Sequence, residues 1–194
     1  MRGSGKRCHV RSSKYNLSIM ILSPIENFPL LKNGNWFQTR PRVSQGFGER
    51  PNVYKQFGMI GHNGVDFGVS EGTPLFASFD GEVKVKDSKG EGYGLHIKLR
   101  SSYRAREAVY GHLSKVTVKS GDRVHLGDVI GFTGNTGFST GPHLHFGLRH
   151  LIPESGDVFK WQVENYNNGY FGYIDVLPWM ITFKGTYTLY SLTL

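Results

Sequence analysis

Hydrophobic and polar residues alternate along several short stretches of this chain, whereas helix-period apolar patterns are scarce. Residues 82–86 alternate position by position, and so do residues 95–99. A period of two is typical of a β-strand with one buried face. Asp80-Gly81, just before the first stretch, is a strong hairpin turn signal. The pattern therefore predicts an all-β fold, mainly an antiparallel sheet of half-barrel or sandwich type, with few or no helices.

Further short strands are predicted at 43–45, 108–113 and 143–147, each bordered by glycine turns. Residues 51–57 are interpreted as a surface loop. His96 shares a strand face with Lys98, so we expect it to face solvent. His125 lies beside a glycine-aspartate turn and is also expected to be exposed.

The chain of 194 residues is long enough for one domain with appendages. We divide it into a basic N-terminal arm at 1–35, a core at 36–150, and a C-terminal extension at 151–194 that packs on the core. Residues 173–179 are the part of the extension expected to fold back.

Composition narrows the function classes. The net charge of +8 predicts attraction to polyanions such as nucleic acid, anionic lipid or a bacterial wall. Cys8 is the single cysteine, which excludes an intrachain disulfide. No apolar run reaches membrane-spanning length, and residues 19–22 are too short for the core of a secretory signal. We therefore predict no signal peptide, so an extracellular substrate would require another export route.

Two histidines, His143 and His145, lie one residue apart in an apolar setting. On a strand they project from the same face, while Leu144 and Phe146 point into a core. Such a pair can hold a metal, or it can be two solvated histidines on an amphipathic strand.

A second polar motif is His62-Asn63-Gly64-Val65-Asp66. The glycine and the β-branched valine argue against a helix, and in an extended segment His62 and Asp66 converge on one face with Gly64 leaving room for an ion. The alternative is a capping aspartate with an unrelated loop histidine.

Together, His62, Asp66 and His145 offer two imidazoles and one carboxylate. A catalytic zinc site has three protein ligands and an open position, where the metal activates water and polarises a carbonyl. The sequence contains no HExxH glutamate. His112 and His143 remain as candidates for proton transfer or oxyanion stabilisation.

Over residues 43–149 the chain resembles the lysostaphin-type zinc metalloendopeptidases with LytM-like domains. The motifs that carry the resemblance are Gly46-Phe47-Gly48-Glu49-Arg50, His62-x-x-x-Asp66, Gly72-Thr73-Pro74, Asp80-Gly81-Glu82-Val83, Tyr93-Gly94, Tyr110-x-His112-Leu113, Gly121-Asp122-x-Val124, Gly134-x-Thr136-Gly137 and His143-x-His145-Phe146.

The resemblance implies an enzyme that hydrolyses peptide cross-links of bacterial peptidoglycan. It implies one zinc ion per chain bound by His62, Asp66 and His145, catalytic roles for His112 and His143, and a groove over the metal. Two positions depart from the family pattern: Leu95 stands where the family usually has asparagine after Tyr-Gly, and Val176 follows Asp175 where the family usually has Asp-Pro. The resemblance also implies action at the cell wall, whether extracellular, periplasmic or phage-delivered.

Other classes of protein explain the sequence less well. A metal-free regulator or wall-binding module of the same fold would lack ligands that are present here. A biotinyl or lipoyl carrier needs an exposed lysine at a hairpin tip, which we do not find, and a phosphocarrier has no His-x-His beside an aspartate ligand. The positive charge is the one feature of the sequence that favours nucleic-acid binding, and it does not indicate specific recognition. We expect a monomer whose partner is peptidoglycan peptide.

The groove walls are predicted to come from loops 49–58 and 87–94 and from segment 150–172. In that segment Trp161, Tyr166, Tyr170 and Phe171 either line a wall or pack against the sheet.

Overall fold

The computed structural model describes residues 21–25, 29–32, 35–38 and 42–181. Cys8, most of the predicted basic arm and the last part of the extension lie outside the described residues. Within them, no helix is long and apolar enough to cross a membrane.

The described residues form short strands and very little helix. The strands are β1 Ile21–Leu22, β2 Pro29–Lys32, β3 Asn35–Gln38, β4 Val43–Gln45, β5 Val65–Phe67, β6 Pro74–Phe76, β7 Gly81–Asp87, β8 Leu95–Ser101, β9 Arg106–Gly111, β10 Leu113–Val116, β11 Arg123–Val124, β12 Val129–Thr133, β13 Leu144–His150, β14 Tyr173–Ile174 and β15 Met180–Ile181. One α-helix is described, α1 at Pro51–Tyr54, with 3-10 turns at Lys55–Phe57, Val158–Lys160 and Leu177–Trp179.

Two antiparallel sheets enclose the core. The larger runs in the order β11-β7-β8-β9-β13-β5-β4, with β14 added beside β13, and the smaller runs β10-β12-β6. Apolar side chains from both sheets, such as Ile97, Phe146 and Ile130, belong to one buried cluster. The predicted all-β, mainly antiparallel class is confirmed. Among the described strands, β1 and β15 form a small parallel pair.

Residues 21–25 contribute to this core more than the sequence indicated. Ile21, Leu22 and Ile25 are buried, although they fall in the predicted arm. Burial of such side chains contributes about 1.5–3 kcal/mol each relative to exposure, so residues 21–25 belong to the folded unit. Tyr173 and Val176 are also buried, as expected for the segment that folds back.

Two local interpretations are corrected by the structure. His96 is buried, and the Tyr93 ring packs against it edge-on at 5.6 Å. The Gly94 carbonyl accepts a hydrogen bond from His96 Nδ1–H at 2.8 Å. Burial lowers the pKa of His96. The predicted loop at 51–57 instead forms α1 and a 3-10 turn, with Pro51 at the first turn where its missing N–H costs nothing. His125 is exposed, as predicted.

Candidate metal centre

Strand pairing brings two of the predicted ligands together. In the antiparallel pair of β5 and β13, His145 lies directly opposite Asp66. Residues facing each other in this way have Cβ atoms about 4.5–5.5 Å apart. His62 reaches the same point from the loop that precedes β5, which is held by the bonds Gly48 N–H to His62 O and His62 N–H to Glu49 O, at 2.8 and 3.0 Å.

Three donor atoms of these residues meet at one point. His62 Nε2 lies 2.9 Å from His145 Nδ1 and 3.1 Å from Asp66 Oδ1, and His145 Nδ1 lies 3.0 Å from the same oxygen. His62, Asp66 and His145 are all buried. Among the residues that the structure describes, this is the group of histidine and carboxylate side chains arranged to hold a metal ion.

The surroundings fix how each imidazole is presented. His62 Nδ1–H donates to the Gly46 carbonyl at 3.0 Å, which leaves the lone pair of Nε2 facing Asp66 and His145. The sequence predicted that Gly64 leaves room for an ion. In the structure the His145 ring occupies that space, because a Cβ on Gly64 would lie 2.5 Å from His145 Cε1.

These residues fit a divalent cation. At most one proton can be shared between His62 Nε2 and His145 Nδ1, and the nearby carboxylate oxygen supplies further electron density. A single cation satisfies all three atoms at once. Ligands at the zinc–nitrogen distance of about 2.0–2.1 Å in tetrahedral geometry lie roughly 3.3 Å apart, close to the separations observed.

His112 and His143 lie beside these three residues. His112 Nδ1–H donates to the Thr136 carbonyl at 2.7 Å, and His143 Nδ1–H donates to the Gly141 carbonyl at 2.8 Å. Their rings are 4.5 Å apart, and His143 Nε2 lies 3.6 Å from Asp66 Oδ2. Both Nε2 atoms are therefore available toward the metal centre.

His112 adopts an unusual backbone conformation. It has φ of +64°, between the end of β9 and the start of β10. Non-glycine residues rarely adopt left-handed φ, and such positions concentrate at functional sites. The conformation is held by the His112 N–H, which donates to the Tyr93 carbonyl at 2.8 Å.

Burial and charge set the protonation states. Burial, with a smaller contribution from His145 and His143, lowers the pKa of His112 to about 4, so this imidazole is neutral at pH 7. Burial raises the pKa of Asp66, but the adjacent His145 and His62 side chains outweigh it and hold the pKa well below its usual range. An ionised carboxylate and neutral imidazoles are the forms that bind metals.

A cleft of about 490 Å³ opens over this group. One wall is the segment 49–58, which includes α1, with Val53, Tyr54 and Phe57, and another is the loop that carries Phe138. Phe57 and Phe138 meet edge-to-face at 5.2 Å. Of the predicted walls, loop 87–94 contributes Gly92 and Tyr93, and segment 150–172 contributes Phe171.

The other aromatics of that segment do not line the cleft. Trp161 is buried in a small cluster with Leu151 and Val158. Tyr166 stacks on Phe171, and Tyr170 packs on Phe47 at 4.5 Å.

Supporting residues were not identified from the sequence. The Tyr93 ring stacks on His145 at 5.0 Å and its hydroxyl accepts from Asn63 Nδ2 at 2.6 Å. Tyr54 lies 5.2 Å from the His62 ring, and its hydroxyl accepts from Gln45. Burial raises the pKa of Tyr54 to about 12, so it keeps its proton. Tyr93 stands in a recognised motif, but no local pattern indicates which ring it supports.

The fold and this group of residues place the chain in a known class. Residues 60–165 match the model of peptidase family M23, and the chain belongs to this family. The resemblance noted in the sequence is thereby confirmed.

Similar proteins include both sequences and solved structures. The chain is 38% identical over 128 residues to the DD-carboxypeptidase/endopeptidase Mpg of Neisseria meningitidis, covering 64% of this chain and 29% of that protein. It is 41% identical over 102 residues to lysostaphin of Staphylococcus staphylolyticus, covering 53% of this chain and 21% of that one. The lysostaphin catalytic domain from Staphylococcus simulans superposes with a TM-score of 0.53 at 31% identity, covering 71% of this chain and 90% of that domain. The chain thus spans less than a third of the length of these curated relatives.

Proposed function

We propose that this protein is a zinc-dependent endopeptidase that hydrolyses peptide cross-links of bacterial peptidoglycan. The observation that carries the proposal is the convergence of His62 Nε2, Asp66 Oδ1 and His145 Nδ1 within 3.1 Å of one another at the base of a cleft.

His62, Asp66 and His145 would hold one zinc ion. When bound, zinc supplies Lewis-acid activation of water and of the scissile carbonyl. The ligands are kept in their metal-binding forms by the Gly46 carbonyl, which fixes the tautomer of His62, and by the Tyr93 ring against His145.

His112 and His143 would move the protons of the reaction. Each imidazole is oriented by a backbone carbonyl at Nδ1 and presents Nε2 to the cleft. One Nε2 accepts the proton that the attacking water loses, and this proton then passes to the departing amine nitrogen. The other donates a hydrogen bond to the developing oxyanion when protonated.

A wall peptide is the substrate class that the similar proteins favour. Mpg is named a DD-carboxypeptidase/endopeptidase, and another relative, from Vibrio cholerae, is named a peptidoglycan DD-endopeptidase. The net charge of +8 suits a wall rich in phosphate and carboxylate. We place the protein's action at the cell wall and expect it to act as a monomer.

The proposal is tested on purified sacculi. The zinc-loaded protein is incubated with sacculi that have glycine bridges and with sacculi that have direct D-Ala-to-diamino-acid cross-links, with and without chelator. We expect new amine and carboxyl ends, identified by mass spectrometry, that disappear with chelator and return with zinc. If zinc-loaded protein releases no ends from either wall, the proposal is wrong.

The same experiment separates the metal-free regulator. A regulator would bind sacculi without zinc and stimulate a second wall hydrolase while releasing no ends itself. His125→Ala should behave as the parent in both assays, because His125 is exposed and its ion-pair partner is Asp80.

A further inference from the structure

Phe171 is an unusual element of the cleft wall. It lines the cleft beside the metal centre and has φ of +55°, a left-handed conformation that is costly for an aromatic residue. A residue persists in such a conformation only where its surroundings hold it there.

One side of the segment touches the loop that carries His62. The Ile60 N–H donates to the Gly169 carbonyl at 3.0 Å, and the Tyr170 ring packs on Phe47 at 4.5 Å. These contacts secure the residues before Phe171.

The other side of this segment is held by a charged side chain on the large sheet. Arg149, on β13, donates from one terminal nitrogen to the Phe171 carbonyl at 3.2 Å. Its Nε and other terminal nitrogen bond Glu107 Oε1 at 2.9 and 2.7 Å, and its guanidinium lies 4.8 Å from the centre of the Tyr173 ring. One buried guanidinium thus ties Phe171 and Tyr173 to the sheet.

Tyr173 in turn connects this arginine to the metal centre. Its ring lies over Gly147, where a Cβ would come within 2.9 Å of it. Burial, and after it the neighbouring Tyr93, raise the pKa of Tyr173, and the Tyr93 ring stacks on His145.

Arg100 provides an internal comparison. It also pairs with Glu107, through the other carboxylate oxygen, but one of its terminal nitrogens donates to the carbonyls of Val158 and Trp161 at 2.7 and 3.2 Å. Neither of those residues lines the cleft. The two arginines therefore share a counter-ion and differ in the segment that each one holds.

We propose that Arg149 is a positioning residue, which holds Phe171 as the cleft wall that contacts the peptide substrate and thereby determines substrate binding. This inference rests on the proposed function for the identity of the substrate. Arg149 acts through Phe171 and does not touch the reacting atoms. A guanidinium suits the role because its rigid fork can bond the carboxylate and the carbonyl simultaneously.

The kinetic test uses the soluble cross-linked peptide on which the parent enzyme is most active. We expect Arg149→Met and Phe171→Ala each to raise KM by roughly 3–10-fold, the loss of one aromatic contact, with kcat within about twofold. Arg100→Met should leave KM unchanged. In the double variant Arg149→Met/Phe171→Ala, KM should equal that of Phe171→Ala alone. Once the aromatic wall is gone, replacing the residue that positions it has no further effect. Additive effects, or an equal rise in Arg100→Met, would overturn the proposal.

A second measurement is independent of activity. Hydrogen exchange of the zinc-loaded proteins should be faster at 169–173 in Arg149→Met and faster at 158–163 in Arg100→Met. Should Arg149→Met fail to fold, Arg149→Lys keeps the charge beside Glu107 and gives the same comparison. Unchanged hydrogen exchange at 169–173 in a folded Arg149 variant would overturn the inference, even if that variant is active. Faster exchange in a protein that cleaves no wall peptide would leave the positioning intact and remove the proposed function.

Discussion

Two buried polar clusters lie on the large sheet, and they differ in how their charges are compensated. In the metal centre, His62, Asp66 and His145 bring three ligand atoms to one point, and no lysine or arginine belongs to the group. In the second cluster, Glu107 is fully buried and bonds Arg100 and Arg149, with Lys98 at 4.0 Å. We propose that a bound metal ion completes the first cluster, whereas the second cluster contains its own counter-charges.

This difference in charge compensation distinguishes a cluster that binds a ligand from a cluster that stabilises the fold. Burial of charge is costly unless the group is paired, so a cluster of donors that converge without a cation implies a ligand. A cluster that is already paired needs none, and its role is to fix the chain. Here it attaches the segment after β13 to the sheet.

Removal of a ligand should have the largest effect. We expect His145→Ala to lose most of its bound zinc and its activity, because two donors bind a metal far more weakly than three. Metal analysis after purification checks this, with His125→Ala as the control. Full zinc content in His145→Ala would remove His145 from the ligand set.

Removal of the proton carriers should spare the metal. His112→Ala and His143→Ala are expected to keep zinc while hydrolysis of sacculi falls by about 10²–10⁴-fold, the usual contribution of general acid–base catalysis. Zinc content and the rate of end release are measured on the same samples. A variant that cleaves at the parent rate has no such role.

Removal of the counter-charge should break the second cluster alone. Glu107→Gln leaves two arginines and a lysine without their carboxylate, which costs about 3–5 kcal/mol of unfolding free energy. The zinc content of the folded fraction should not change. Urea unfolding measures the loss, and Glu91→Gln, at an exposed position, is the control. A variant as stable as the parent would show that the cluster contributes nothing net.

The pH dependence of stability sharpens the same contrast. Burial raises the pKa of Glu107, but Arg149, Lys98 and Arg100 outweigh it, so the pKa is lowered in the folded protein. A lowered carboxyl pKa contributes stability above the unfolded value of about 4.3, and this stability is lost as the pH falls through the folded value. Urea midpoints of the parent should therefore decrease below about pH 4, and the decrease should be smaller in Glu107→Gln. Equal decreases would contradict the assignment.

The smallest expected effect concerns surface charge, which neither cluster governs. Binding of the protein to wall material should weaken as salt rises, since screening shortens to about 8 Å at physiological ionic strength. A pull-down with sacculi over a salt series measures this. Binding that is independent of salt would indicate a specific pocket instead.

Local patterns were sufficient for much of the site. The spacing of His143 and His145 in one motif, and of His62 and Asp66 in another, predicted residues that the structure brings together. Period-two alternation also predicted β7 and β8, because side-chain direction in a strand is a local property. The same rule failed for His96, since alternation shows that two positions share a face but not whether that face is covered.

The sequence by itself predicted the strand-rich class and the five polar residues that the structure brings together, because residue type and strand period are fixed along the chain. Tertiary structure alone decided what covers the second face of the large sheet. The residues after β13 return over β8 and β9 and bury Arg100 and Glu107, and they place Phe171 in the cleft. These contacts join residues up to 61 positions apart, and no local pattern encodes such long-range pairing.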